Sequence, residues 1–118
     1  MTITLYGITN CDTVKRARDW LAEHDVAYDF HDFKKSGVPD ARLARWTQDV
    51  GWETLVNRKG TTWRKLDAAT QAGVIDAASA QALMRDQASV IKRPVVEWAD
   101  GKVTVGFSEA AFADNAKR

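Results

Sequence analysis

Hydrophobic positions in the first third of the chain change from the spacing of a strand to that of a helix and back. Thr2 to Tyr6 is a short run of β-branched and aromatic residues that ends at Gly7, which predicts a strand. From Asp12 to about His24, apolar residues recur at the i, i+3, i+7 spacing of an amphipathic helix. Val26 to Phe33 alternates again. The pattern therefore predicts two parallel strands joined by a right-handed helical crossover.

The middle of the chain has helical spacing throughout. Between the segment Gly37-Val38-Pro39 and about Gln87, three groups of apolar residues keep a helical period, and glycines separate them. The groups are Leu43, Trp46 and Val50, then Trp63 and Leu66, then Ala80, Leu83 and Met84. We expect a helical insertion over about residues 38–88.

Two more strands and a helix are predicted in the last third. Val95 to Trp98 and Lys102 to Val105 have strand character, and Asp100-Gly101 between them is a strong hairpin signal. A final short helix is predicted from near Ser108. The order β-α-β, helical insertion, β-β-α is that of an α/β, thioredoxin-like (glutaredoxin-type) fold. We therefore expect a single domain over residues 1–118 with a mixed four-stranded sheet.

The single cysteine of the chain, Cys11, lies where the first strand gives way to the first helix. The first turn of a helix has N–H groups without intrahelical partners and the positive end of the backbone dipole, and both stabilise an anion such as a thiolate. Cysteines in such places ionise readily and act as nucleophiles. The alternative is an inert, buried cysteine. Asn10 and Thr13 flank Cys11 and could either cap the helix or hydrogen-bond the thiolate.

Composition restricts the possible classes of protein. A chain of 118 residues can support one core, and one cysteine excludes an internal disulfide. The formal net charge of +1 provides no general attraction to nucleic acid or to anionic membranes. Neither a signal peptide nor a membrane-length apolar stretch is visible, so a reducing cytoplasm is the expected location.

Few other residues compete for a chemical role. His24 lies about three helical turns beyond Cys11, roughly 18 Å at the rise of an α-helix, which is too far for it to act as the base of the thiol. His31 is expected to be a structural residue of the second strand. With one cysteine and no dense cluster of ligand residues, a metal site is not expected. Trp63 falls at a helical apolar spacing, which favours a core position, but it adjoins basic residues, so a position lining the pocket stays open as the alternative.

Several segments in order resemble the ArsC/Spx family and, within it, the YffB branch. They are Tyr6-Gly7-Ile8, Asn10-Cys11-Asp12-Thr13-Val14-Lys15, Phe30-His31-Asp32-Phe33, Leu55 to Leu66, and Ile91-Lys92-Arg93-Pro94-Val95. The match runs to about Phe107, and its order and spacing are more specific than any single segment. The resemblance implies a helical subdomain between the second and third strands. It also implies a proline before the third strand, here Pro94, that packs beside the cysteine, although the isomer of its peptide bond stays open.

The arsenate reductases of this family attack an arsenic oxyanion with one cysteine, cradle it with arginines, and complete the cycle with glutathione and glutaredoxin. The resemblance therefore implies Cys11 as the nucleophile, Arg93 as an anion ligand, and Arg58 or its neighbour Lys59 as a second cation. The third arginine of the arsenate reductases has no counterpart, because Gly106 falls at its position. Each missing charge-assisted hydrogen bond weakens the hold on an oxyanion by about 1.5–3 kcal/mol.

The chain also lacks the Cys-X-X-Cys pair that several Spx regulators carry, because position 14 is Val14. A thiol cycle would then need an external thiol, and the resemblance implies glutathione as a co-substrate without any bound cofactor. Its carboxylates could pair with Arg58, Arg93 or Lys15, and Asn10, Thr13 and Pro94 are further expected residues of the glutathione site. We expect a monomeric, glutathione-dependent thiol/disulfide oxidoreductase, with glutaredoxin as a candidate partner and with neither nucleic acid nor membrane as one. The alternatives are an arsenate reductase coupled to glutathione and glutaredoxin, and a non-enzymatic Spx-like regulator that binds RNA polymerase.

Overall fold

The computed structural model describes residues 2–117, which contain four strands, eight α-helices and one short 3-10 helix. The strands are β1 (Thr4–Gly7), β2 (Asp29–Asp32), β3 (Val95–Glu97) and β4 (Val103–Val105). The α-helices are α1 (Asp12–Glu23), α2 (Phe33–Ser36), α3 (Asp40–Val50), α4 (Trp52–Leu55), α5 (Thr61–Lys65), α6 (Ala68–Ala72), α7 (Ala77–Asp86) and α8 (Glu109–Ala116), and the 3-10 helix is Ala88–Val90. The chain forms two compact units: one contains the residues up to Ser36 and those from Arg93 onward, and the other is Gly37–Lys92.

The four strands form one sheet in the order β2-β1-β3-β4. β1 pairs with β2 in parallel and with β3 antiparallel, and β3 pairs antiparallel with β4. β1 and β2 are joined through α1, and β3 and β4 are joined through a tight turn, as the sequence patterns predict. The fold class is confirmed: the sheet is mixed, and its βαβ and ββα halves make a thioredoxin-like fold.

The second strand is shorter than its alternating pattern predicts. Strand pairing covers only Asp29–Asp32, not the whole of residues 26–33. The chain turns immediately afterwards, because Phe33 begins α2 and the Lys34 N–H donates to Asp32 Oδ1 at 2.9 Å. The predicted strand was therefore too long at both ends.

One face of the sheet packs against the apolar sides of α1 and α8. Phe112 of α8 is fully buried, and its ring lies edge-on to Trp20, Trp98 and Phe107, with centroids 4.8–5.7 Å away. Cys11 borders this core from the N-terminal end of α1. The buried members of the cluster are Ile3, Leu5, Val14, Ala17, Trp20, Leu21, Val96, Trp98 and Phe112.

The opposite face of the sheet is mixed, because it carries the buried Tyr6 and Val95 together with the half-buried His31 and Glu97. Tyr6 donates its hydroxyl hydrogen to Glu97 Oε1 at 2.7 Å, and its ring lies 5.1 Å from the His31 ring on the neighbouring strand. His31 is thus a residue of the sheet, as expected. His24 instead lies at the end of α1, where its ring stacks on Trp20 at 3.9 Å.

The helical unit has only part of the core that the spacing predicts, because Val50 and Leu66 as well as Trp63 are only half-buried. Leu43 and Trp46 of α3 and Leu83 and Met84 of α7 are buried. Trp63 is only half-buried, and α5 buries none of its residues. The expectation of a core position for Trp63 was therefore wrong. No helix in the described part of the chain is long and apolar enough to cross a membrane.

Candidate active site

Cys11 occupies the N-cap position of α1. Its backbone is extended, at φ −151° and ψ 119°, and its carbonyl accepts a hydrogen bond from the Lys15 N–H at 3.0 Å, the first bond of the helix. Neither Asn10 nor Thr13 is the N-cap residue, contrary to one of their two expected roles. An N-cap side chain faces the N–H groups two and three residues further on, which here belong to Thr13 and Val14. The sulfur thus stands where serine or aspartate usually places an oxygen.

The surroundings of the half-buried sulfur favour the thiolate. Burial raises the pKa of the Cys11 thiol, but the Val14 N–H, the guanidinium of Arg93 and the Thr13 N–H together outweigh it, so that the pKa lies below its ordinary value. Arg93 acts both through a hydrogen bond and through its charge. The first-turn N–H groups make no cap hydrogen bond of conventional geometry with the sulfur, so they act mainly by stabilising its negative charge.

Arg93 reaches Cys11 because of the register between β1 and β3. Tyr6 pairs with Val95 in this antiparallel ladder. One further step along both strands brings Gly7 opposite Pro94, so Arg93 arrives at the end of the sheet where the chain leaves β1 for α1. The Arg93–Pro94 peptide bond is cis, and Pro94 is buried.

Gly106 lies at the same end of the sheet and has a backbone that favours glycine. Its N–H donates to the Pro94 carbonyl at 2.8 Å, and its φ is 87°. A residue with a side chain is strained at such an angle. Gly106, the position that the resemblance aligns with a third arginine, is therefore unsuited to a residue with a side chain in this chain.

The remaining predicted site residues of this unit lie around the first turn of α1. Asn10 and the side chain of Lys15 are exposed, and Thr13 is half-buried. The structure thus brings Thr13, Arg93 and Cys11 together, whereas the roles of Asn10 and Lys15 in glutathione binding stay predictions. Asp12 is exposed in the first turn, so its carboxylate lies in solvent.

Arg58 belongs to the helical unit. Its guanidinium carbon lies 5.2 Å from the Trp52 ring centroid and 6.0 Å from that of Trp63, within the range of cation–π contacts. Arg58 lines a cavity of about 350 Å³ together with Lys59 and Lys92. Glu53 also lines this cavity, but the three basic residues outnumber its one carboxylate, so the cavity suits an anionic group. The participation of Arg58 in the chemistry of Cys11 stays a prediction.

Sequence reasoning missed the individual donors at the sulfur. Val14 was interpreted as an apolar position of the first helix and as the position that lacks a second cysteine, whereas its backbone N–H faces the thiol. The signal was present, because a cysteine directly before an amphipathic helix can take the place of a capping serine. Within residues 2–117, no three His, Cys, Asp or Glu side chains gather in a way that could hold a metal ion.

A single thiol at a helix N-cap, faced by an arginine from the start of the third strand, defines a thioredoxin-like protein of the monothiol type. The chain belongs to the ArsC family, whose family model matches residues 6–115.

The chain is similar over nearly all of its length to three other proteins. The solved structure of a protein described as YFFB (PA3664) is 52% identical, with a TM-score of 0.92, and the match covers 98% of this chain and 99% of that one. An uncharacterised protein of Haemophilus influenzae is 41% identical over 94% of this chain and 99% of its own length. The global transcriptional regulator Spx of Streptococcus agalactiae is 27% identical over 91% of this chain and 77% of its own length.

Proposed function

We propose that this protein is a monomeric, cytoplasmic thiol/disulfide oxidoreductase in which Cys11 is the only reacting thiol and glutathione is the co-substrate. The observation that carries the proposal is the position of the sulfur at the N-cap of α1 beside Arg93, where the pKa of the thiol is lowered. Thiolates, not thiols, attack disulfides. Membership of the ArsC family supports an oxidoreductase of this type.

The reaction has two exchange steps. The Cys11 thiolate attacks the glutathione sulfur of a glutathionylated substrate, which forms a Cys11–glutathione disulfide and releases the substrate as a thiolate. A second glutathione, as its thiolate, then attacks the glutathione sulfur of that mixed disulfide. This releases oxidised glutathione and regenerates the Cys11 thiolate. One free glutathione is oxidised for each glutathionylated substrate that is reduced, and it leaves joined to the substrate's former glutathione as oxidised glutathione, so no second protein cysteine is needed.

Arg93 has two uses in this cycle. Its guanidinium stabilises the Cys11 thiolate before the attack and after the second exchange. Its planar fork can also hold a carboxylate of glutathione in bidentate geometry. Arg58, Lys15 and Asn10 are further proposed ligands of glutathione, on the basis of the family resemblance alone.

Arsenate reduction by the same thiol has weaker support. Gly106 replaces the third arginine and has a backbone at φ 87°, so a doubly charged oxyanion would meet fewer charged donors. A glutaredoxin-coupled assay with arsenate is therefore expected to show no turnover above background. If arsenate is turned over at a rate comparable with that of a disulfide substrate, arsenate reduction becomes the preferred function.

The primary experiment follows the mixed disulfide directly. The purified, reduced protein is incubated with oxidised glutathione, and the intact mass is measured for the wild type and for Cys11→Ser, Arg93→Ala and Arg45→Ala. Arg45 is the matched control, because this surface arginine of the helical unit contacts Asp49 at 3.6 Å. Wild type and Arg45→Ala should gain one glutathionyl group at equal rates, Arg93→Ala should gain it more slowly, and Cys11→Ser should gain none.

Turnover is then measured with a glutathionylated substrate and a coupled glutathione reductase. The proposal fails if the wild type forms no mixed disulfide, or if Cys11→Ser retains full reductase activity. Equal rates for Arg93→Ala and Arg45→Ala would remove Arg93 from the mechanism while leaving Cys11 in place.

The similarity to Spx supports a second candidate, a non-enzymatic regulator that binds RNA polymerase. The regulator's binding would not depend on the thiol, since position 14 is Val14 and a Cys-X-X-Cys switch is absent. Co-purification of Cys11→Ser with the polymerase at wild-type yield, combined with no turnover of disulfides, would favour the regulator over the enzyme.

A further inference from the structure

Gly7 is a point of unusually close approach between β1 and α1. A Cβ atom built on Gly7 would lie 2.8 Å from Val14 Cγ2 and 3.3 Å from Val14 Cγ1. Carbon atoms in favourable contact are about 3.5–4.0 Å apart. Any residue with a side chain at position 7 would therefore have to displace Val14.

Val14 has little room to give way. Its side chain is 0% exposed and belongs to the core cluster between the sheet and α1. A β-branched side chain also has few χ1 states open to it in a helix. Displacement of Val14 would therefore shift the backbone of the first turn and not the side chain alone. That backbone includes the Val14 N–H, which faces the Cys11 sulfur.

The backbone conformation of Gly7 does not itself require glycine. Gly7 lies in a regular strand, paired with Asp32, and its φ is outside the left-handed region. An alanine could adopt the same angles, so the requirement for glycine at this position is one of space. This separates Gly7 from Gly106, where the backbone angle is the constraint.

We propose that Gly7 is a positioning residue for the thiol: the missing side chain lets Val14 seat against the end of β1, which holds the Val14 N–H where it faces the Cys11 sulfur. The inference rests on the proposed function, because the position of the Val14 N–H matters for activity only if Cys11 is the reacting thiol. It adds a residue that touches neither the sulfur nor a substrate and acts only through Val14.

The test is a double-mutant cycle read by the ionisation of the thiol. The rate of alkylation of Cys11 by iodoacetamide is measured against pH for wild type, Gly7→Ala, Val14→Ala and the double variant. Val14→Ala is the matched control, because it removes the clashing methyl groups and keeps the backbone N–H. We expect the midpoint of the pH profile to move towards that of a free thiol in Gly7→Ala, and to return to the Val14→Ala value in the double variant.

Two results would overturn the proposal: a wild-type midpoint in Gly7→Ala, or a double variant whose midpoint stays with that of Gly7→Ala. Circular dichroism of each variant reports on folding. If Gly7→Ala alone does not fold, the proposal requires that the double variant folds with the midpoint of Val14→Ala, and a double variant that also fails to fold contradicts it. The alkylation measurement does not involve glutathione. A wild type that forms no mixed disulfide with glutathione would therefore refute the proposed function but leave the result of the double-mutant cycle unchanged.

Discussion

Replacement of Gly106 by alanine tests whether backbone geometry excludes the family's third arginine from this site. At φ 87° a side chain clashes with its own backbone, and such strain costs about 1–3 kcal/mol. The segment cannot relax easily, because the Gly106 N–H donates to the Pro94 carbonyl at 2.8 Å, a bond that contributes about 0.5–1.5 kcal/mol. Alanine also reduces the entropy of the unfolded chain, which offsets about 0.4–1 kcal/mol. We therefore expect the free energy of unfolding to fall by about 1–2 kcal/mol.

Gly73 provides the matched control. Its φ is −77° in the right-handed region, and an added Cβ would meet only carbonyl oxygens at an ordinary 3.5 Å. Gly73→Ala should therefore raise the free energy of unfolding by about 0.4–1 kcal/mol. Gly106→Arg should lose about as much as Gly106→Ala, because the two share the same backbone strain.

Urea unfolding followed by tryptophan fluorescence measures all of these variants, since the chain has five tryptophans. With an m-value of about 2 kcal/mol per molar urea, a loss of 2 kcal/mol lowers the midpoint by about 1 M. A Gly106→Ala protein as stable as the wild type would refute the argument from backbone strain. The absence of the third arginine would then need another explanation.

Three further predictions concern the charge of Cys11, the core and a helix cap. Because the pKa of Cys11 is lower in the folded than in the unfolded chain, its thiolate adds stability above the unfolded pKa, and this is lost as the pH falls through the folded pKa. The excess stability of wild type over Cys11→Ser in urea titrations under reducing conditions should thus grow as the pH is raised towards 9.0, the ordinary pKa of the thiol, and level off above it, and a constant difference would contradict the lowered pKa. Phe112→Ala should lower the free energy of unfolding by about 3–5 kcal/mol, since it empties a fully buried site, and a loss below about 1 kcal/mol in the same titration would disprove that packing. Ser108→Ala removes the side-chain acceptor of the Ala111 N–H at 3.1 Å and should cost about 1 kcal/mol, seen as an earlier thermal transition by circular dichroism; an unchanged transition would mean that the cap contributes nothing.

Local sequence patterns predicted the fold well for elements whose structure depends on interactions between residues close in sequence. The amphipathic period of α1 and the Asp100-Gly101 turn were both confirmed, because each depends on residues close in sequence. The prediction for Trp63 was wrong because helical spacing does not reveal whether another surface covers the residue. The extent of β2 was wrong for a related reason: alternation continues past the point where pairing with β1 stops.

The candidate site divides in the same way. The sequence by itself determined that Cys11 is the only thiol and that a helix follows it directly. It also determined that position 14 is not a second cysteine and that position 106 is not an arginine. Tertiary structure decided that Arg93 meets the sulfur, because the antiparallel register of β1 and β3 brings residues distant in sequence to one end of the sheet. It also decided that Gly7 must lack a side chain, since the distance to Val14 exists only once the helix packs on the strand. Local propensity acts on neighbours along the chain, whereas the electrostatics of the thiol depend on distances that only packing sets.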